Sequence, residues 1–436
     1  MLPPNVSTAT LLAAFAALAS AASAQTAVAP APAPAPATAP SAAAPAPAAS
    51  LKEAFTEGKL SAHARVRYEF VEQDTLQNAD SLTARLRLGY TTREYQGFQA
   101  MLEGEAVGQL AGDAYDGTGF NTTPLTATIA DPEHYEINQA WLAYRYDTLR
   151  ATFGRQRIVL DNARFVGDVG WRQNQQTFDA VLLQDKSFKH TTLTYAYLDR
   201  VNRVFDDSTP QYDWASDSHL IHASFSGLPF GTLAAYGYLL DFNETRQGSS
   251  GNSTQTYGAS FAGSRPVTED WKALYRLEYA TQSDYGSSTL DYRADYYAAE
   301  LGAAYQGHSL SLNYEVLGSD DRPIGTAFKT PLATLHAHNG WADKFLTTPD
   351  IGLEDLNLKA VAKLPADLTL LARYHWFSAE EIFGRYGTEL DLQLTYQYDS
   401  RLSFTAKTAF YEAGNSALGP LSQDTDKYWL QAEFVY

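Results

Sequence analysis

From Lys59 to Tyr436, apolar and polar side chains alternate with a period of two, in run after run. Successive side chains of an extended strand point to opposite faces, so each run reads as a strand with one apolar and one polar face. Leu60, Ala62, Ala64, Val66, Tyr68 and Phe70 alternate with Ser61, His63, Arg65, Arg67 and Glu69. Leu82, Ala84, Leu86, Leu88 and Tyr90 alternate with Arg85 and Arg87, and Ala273, Tyr275, Leu277 and Tyr279 with Lys272, Arg276 and Glu278. The scheme returns at Leu310 to Val316, at Leu368 to Trp376 with Arg373 on the polar side, and at Leu390 to Tyr398. A strand of a soluble sandwich alternates in the same way. Repetition to the end of the chain, with Tyr or Trp often closing the apolar face, suits a barrel whose outer wall meets lipid between aromatic girdles. No run of about 18 apolar residues follows the first fifty positions, so no helical span is expected there.

The connectors alternate in length. Asp147-Thr148, Gly227 to Gly231, Leu364 to Asp367 and Asp399 to Arg401 are short. Leu110–Glu133, Arg155–Gln176, Val201–Asp217 and Ser319–Leu353 are long. Short turns on one side and long loops on the other mark outer-membrane barrels. The expected fold is all-β, a transmembrane antiparallel up-and-down β-barrel of about 18 strands over residues 59–436. The segments Tyr135–Tyr146 and Asp291–Tyr305 are the hardest to read as strands. At the C-terminus, Tyr428, Leu430, Ala432, Phe434 and Tyr436 oppose Trp429, Gln431 and Glu433. Such a last strand resembles the signal read by the outer-membrane assembly machinery, an expected partner beside lipopolysaccharide and outer-membrane lipids.

The first 58 residues read differently. Leu11, Leu12, Phe15 and Leu18 lie in an Ala-rich stretch before Ala22-Ser23-Ala24. Residues 1–24 read as a signal peptide cleaved after Ala24, although a basic n-region is missing. Residues 25–58 are mostly Ala and Pro, which favours extended polyproline and a periplasmic spacer. Leu51 to Gly58 is expected to add a short helical turn.

The formal charge of −18 argues against nucleic acid, which wants a basic surface. With no cysteine, disulfides and thiolate metal sites are excluded. Gly-x-Ser-x-Gly, His-Glu-x-x-His and P-loop patterns are absent, so neither a catalytic residue nor a cofactor is expected. Ser224 near His219 and His222 is the one faint hint of a barrel hydrolase.

Two segments carry a resemblance to a known family. One runs from Gly154-Arg155-Gln156-Arg157 through Asp161-Asn162-Ala163-Arg164-Phe165-Val166-Gly167 to Trp171-Arg172-Gln173-Asn174 and Phe178-Asp179-Ala180. The other is His338-Asn339-Gly340-Trp341-Ala342-Asp343-Lys344-Phe345 with Gly352-Leu353 and Asp355. The chain resembles the alginate export family of outer-membrane porins. That resemblance implies an 18-stranded barrel with an Arg-rich, electropositive lumen for an anionic polysaccharide. The Ala/Pro segment is not part of the family's pattern.

Candidate pore-lining residues follow. Arg65, Arg67, Arg85, Arg87, Arg276 and Arg373 fall on the lumenal parity, and Arg155, Arg157, Arg164 and Arg172 lie in a long loop or at its base, with Asp179 beyond it. Arg keeps its charge and binds carboxylates bidentately, as a path for anionic saccharides or small anionic solutes requires. The plainer reading is that these arginines pair with Glu69, Glu103, Glu105, Glu136, Asp179 and Glu278 and stiffen the wall. Tyr144, Tyr195, Tyr197, Tyr236, Tyr238 and Trp376 suit either sugar stacking or, more commonly, a girdle. His336 and His338, placed in an external loop with Asp343, suggest loop packing rather than metal binding. Asp206, Asp207, Asp213, Asp217, Asp320 and Asp321 read as solvated loop charges. A monomeric passive channel with an anion preference is expected, against the sign of the net charge. A closed structural or adhesive barrel is the alternative, because the long loops at Arg155–Gln176 and Ser319–Leu353 could fold inward.

Overall fold

The computed structural model describes residues 46–112, 126–209, 211–243, 249–320, 325–381, 384–415, 417 and 419–436. The segment read as a signal peptide, most of the Ala/Pro segment and Asp321 lie outside the described residues. A short helix, α1 (Leu51–Thr56), precedes the strands. Ser50 caps it, its hydroxyl accepting from the Glu53 N–H, while the Glu53 carboxylate accepts from the N–H of Ala49, just before the cap.

Eighteen strands follow. They are β1 (Lys59–Gln73), β2 (Ala79–Thr91), β3 (Phe98–Ala111), β4 (His134–Tyr146), β5 (Leu149–Gln156) and β6 (Thr177–Asp185). Next come β7 (Thr191–Asn202), β8 (Asp213–Leu228), β9 (Gly231–Leu240), β10 (Thr254–Pro266), β11 (Trp271–Asp284) and β12 (Arg293–Tyr305). The last are β13 (His308–Leu317), β14 (Leu353–Leu364), β15 (Leu368–Ser378), β16 (Arg385–Gln397), β17 (Leu402–Ala413) and β18 (Thr425–Val435). Each strand pairs antiparallel with its chain neighbours, and β1 pairs with β18, so the sheet closes without an edge. The expected strand number and topology hold.

The alternation maps onto the wall as expected. Leu60, Leu88, Leu102, Phe153, Leu277, Leu301 and Leu312 are exposed on the outer face, whereas Arg67, Arg85, Glu69 and His375 are buried inside. The two segments that were hard to read have physical reasons for it. In β4 the register slips between Glu103 and Gly104 of its partner, so one extra residue near Asn138 shifts the parity. Tyr135 and Ile137 face outward before the slip, and Leu142 and Tyr144 after it. In β12 the inward positions are mostly small, Ala294, Ala298, Gly302 and Ala304, so the contrast between faces is weak.

Two long loops turn into the barrel along their described residues. The 157–176 loop and the 318–352 loop form a short parallel bridge between Val166 and Leu332. The Gly167 N–H donates to the Leu332 carbonyl at 2.8 Å and the Thr334 N–H to the Ala163 carbonyl at 3.0 Å. Phe165 packs on Tyr236, Tyr296 and Phe328 with ring centres 5.1, 5.2 and 6.0 Å away. The long-loop half of the barrel therefore holds a hydrophobic core made of loop and wall together. Tyr236 and Tyr238, read as girdle residues, instead face inward and are buried in this core, whereas Tyr144 and Trp376 are exposed on the outer wall. The loop holding His336 and His338 is not external: His336 is buried inside the barrel.

Candidate functional site

The interior is built from the strands' inward positions and from what the two loops place against them. β1 and β2 set Arg65 opposite Arg85 in register, with Arg67 and Arg87 one step along on the same face. Four like charges so close are held by acceptors on the 157–176 loop. Arg65, Arg67 and Arg87 donate to the backbone carbonyls of Trp171 or Gln173 at 3.0, 2.6 and 3.2 Å. Carboxylates complete the balance. Arg65 pairs with Glu433 at 2.6 Å, Arg67 with Asp131 at 3.3 Å and Arg87 with Glu105. Arg85 lies 3.5 Å from Glu433 and also meets the His63 ring.

The loop arginines are paired as fully. Arg164 donates to Glu315 at 2.7 Å, Thr330 at 3.0 Å and Asn339 at 3.1 Å, which ties the 157–176 loop to the wall and to the second loop. Arg172 reaches Asp343 at 2.7 Å and Glu69 at 3.4 Å. Arg157 pairs with Asp168, Arg155 with Asp179 at 2.8 Å, and Arg276 with Glu278 at 2.6 Å. Among the ten candidate arginines only Arg373 has no ion pair with a described residue; it donates to the Ala337 carbonyl at 3.5 Å and stands opposite Asp391 in the β15–β16 register. Its Nε is buried without a hydrogen-bond partner. Lys359 sits directly across from it in the β14–β15 register, also without an ion pair among the described residues. The same level of the wall carries Arg276 opposite Glu300. Below it toward the short turns, lumenal side chains such as Lys272, Gln393 and Thr395 stay partly or fully exposed, so this level floors the plug and roofs an open vestibule.

Sequence reasoning missed the residue at the centre. Lys407 on β17 faces inward and is buried. Its Nζ lies 3.6 Å from the centre of the Trp341 ring, 3.8 Å from that of Trp171 and 5.3 Å from that of Trp429. It also donates to His336 Nε2 at 2.7 Å. The His336 ring stacks on Trp171 at 4.7 Å and an interplanar angle of 3°. An ammonium only donates, so Nε2 accepts and the His336 proton sits on Nδ1, facing Asp343 Oδ1 at 2.7 Å. Asp343 Oδ2 takes Arg172 of the other loop and Lys427 of β18 at 3.0 Å. One wall cation and one loop carboxylate thus join both loops to β17 and β18. Lys407 stands on the polar parity of β17, but no spacing in the sequence marks it as different from any lumenal lysine.

The loop electrostatics follow from burial. Burial pushes the His336 imidazole well below the usual histidine range, and Lys407 and Arg172 push the same way against Asp343. Burial and the Arg164 guanidinium hold His338 down to about 3. Burial alone would raise the Asp343 carboxyl, but the His336 N–H, Lys427 and Arg172 outweigh it and hold it well below the carboxylate range.

The hydrolase hint does not assemble. His222 faces inward, where it meets Asp161 at 2.9 Å, whereas His219 lies on the opposite face of β8 against Tyr195. Among the described residues no group of three or more His, Asp or Glu has a metal-holding arrangement.

A family profile described as alginate export matches residues 58–389. Solved structures share the fold. OccK9 (OpdG) of Pseudomonas aeruginosa superposes with a TM-score of 0.67 at 15% identity, over 88% of this chain and 99% of its own. OccAB2 of Acinetobacter baumannii gives 0.66 at 16% identity, with the same coverage. OpdL of Pseudomonas aeruginosa gives 0.65 at 16% identity, over 87% and 99%. No curated protein matches the chain by sequence.

Proposed function

The chain belongs to the alginate export family of bacterial outer-membrane channels, and from that premise we propose that it passes anionic solutes or an anionic polysaccharide, its loops holding it nearly closed at rest. The observation that carries the reading is Arg373 with Lys359. Neither forms an ion pair with a described residue, although Asp391 stands across from Arg373 in the β15–β16 register and Glu300 lies near Lys359, and they face the vestibule an anion would enter. The remaining lumenal arginines are compensated within the fold, so they hold the plug and wall and supply little net field. Permeation is decided by charges within a Debye length of the narrowest path, roughly 8–10 Å. Two cations there that no salt bridge ties down outweigh acidic loops farther away, which salt screens. Weak holding suits conduction, since an ion must leave as readily as it binds.

Reconstitution in planar bilayers under a potassium chloride gradient tests this. The expected result is a small, anion-selective conductance. A cation-selective reversal potential sinks the selectivity. The packing of the two loops on each other favours a second reading, a closed structural barrel; folded protein that never conducts at any voltage or pH would favour it.

A further inference from the structure

The helix α1 has three faces with different surroundings. At about 100° per residue, Glu53 and Ala54 point to one side, Lys52 and Thr56 to a second, and Leu51 and Phe55, about 40° apart, to a third. The first side is docked. Ala54 is buried, its carbonyl accepts from the Arg93 N–H at 3.0 Å, and the Arg93 guanidinium pairs with Glu53 at 2.7 Å and Glu57 at 2.5 Å. Arg93 lies in the turn between β2 and β3, so the helix rides on the short-turn rim of the barrel. The third side lies open among the described residues: Leu51 is 59% exposed and Phe55 58%.

The position of that face relative to the wall identifies what covers it. Tyr90 stands on the outer, lipid-facing parity of β2, opposite Leu60 and Leu102. Its hydroxyl donates to the Phe55 carbonyl at 2.5 Å and accepts from the Gly58 N–H at 2.9 Å. The helix therefore leaves the barrel on the outside of the wall, at the height of the rim aromatics. Phe98 and Tyr144, with ring centres 4.7 Å apart, and Tyr146 mark the same rim and are themselves exposed outward. Leu51 and Phe55 continue this band, together with the 56%-exposed Leu60. Tyr and Trp collect at the headgroup level of membranes, and an amphipathic segment lies there with its apolar face sunk toward the acyl boundary.

We infer that α1 is an interfacial anchor whose Leu51–Phe55 face inserts into the phospholipid leaflet on the short-turn side. Lys52 and Thr56 face water, and the Arg93 ion pairs fix its height against the wall.

The absence of cysteine makes a clean test available. Single-cysteine variants Leu51→Cys, Phe55→Cys, Lys52→Cys and Thr56→Cys of the full chain carry a nitroxide label. They are folded into vesicles of phosphatidylcholine and phosphatidylglycerol, with folding checked by heat-modifiable gel migration. The expected result is oxygen accessibility several-fold above that of a water-soluble nickel chelate at 51 and 55, and the reverse at 52 and 56. Equal, water-like accessibility at all four positions overturns the proposal. So does inaccessibility of 51 and 55 to both collision partners, which would mean a protein surface covers them. Neither outcome depends on whether the pore conducts.

Discussion

Lys407 Nζ sits 2.7 Å from His336 Nε2 and on the faces of Trp341 and Trp171, so one side chain of the wall holds a residue from each inward loop. Everything that loosens this contact should loosen both loops at once, because they are also bridged through Val166 and Leu332.

Replacing Lys407 with Met keeps the volume and removes the charge. A desolvated cation–π contact is worth about 2 kcal/mol or more, and His336 Nε2 would lose its donor at a further cost of about 1–3 kcal/mol. A combined loss of about 3 kcal/mol shifts the docked-to-undocked ratio roughly a hundredfold. Single-channel recordings of K407M should show a larger conductance level occupied far more of the time. Wild-type recordings from K407M would mean that Lys407 does not latch the loops.

Acid should also open the plug. His336 is held neutral in the docked loop, well below the ordinary histidine pKa, and His338 at about 3. A group whose pKa is depressed in the docked state contributes stability above its free pKa, near 6.5, and that stability is lost as pH falls below it. Asp343, also depressed, stays ionised throughout this window and adds nothing to the change. Between pH 7.5 and 5 the open fraction should rise, by at most about tenfold per pH unit for each histidine. His336→Gln keeps a donor for Asp343 and an acceptor for Lys407, and should flatten the profile. An open fraction that falls toward acid pH would contradict this account.

Selectivity and stability should separate among the arginines. Arg373→Ala with Lys359→Ala removes the two cations that form no ion pair with a described residue, and reversal potentials should move toward no preference or toward cations. Arg87→Ala leaves Glu105 buried without its partner, which costs about 3–5 kcal/mol. That variant should lower the midpoint of thermal unfolding in detergent while changing selectivity little. Selectivity lost in Arg87→Ala but kept in the double variant would reverse the assignment.

Gly340 adopts a left-handed backbone, with φ of +85°, and a Cβ there would overlap the Glu389 carboxylate. The backbone alone costs a non-glycine residue roughly 1–2 kcal/mol, and the overlap adds to it. Gly340→Ala should partly undock the 318–352 loop without unfolding the barrel. Trypsin should then cut faster after Lys329 and Lys344, both substantially buried when the loop is in place. Equal cutting rates would show that the loop absorbs the methyl group.

Alternation by two was enough to assign almost every side chain of the wall to lipid or lumen, because face follows from parity alone. Where the strands were hardest to read, at β4 and β12, an inserted residue or small inward side chains had blurred the period. Loop lengths likewise separated a short-turn end of the barrel from a long-loop end. Partners were beyond reach of such reasoning. Arg67 and Arg373 share a parity, yet one is tied to Asp131 and to a loop carbonyl, and the other has no ion pair among the described residues. What separates them is where the 157–176 and 318–352 loops fold, and polar loop residues are equally at home in water and in a polar lumen. Only closure of the barrel brings Lys407 to His336 and Arg164 to Glu315, and such pairings are fixed by long-range packing that local periodicity does not encode.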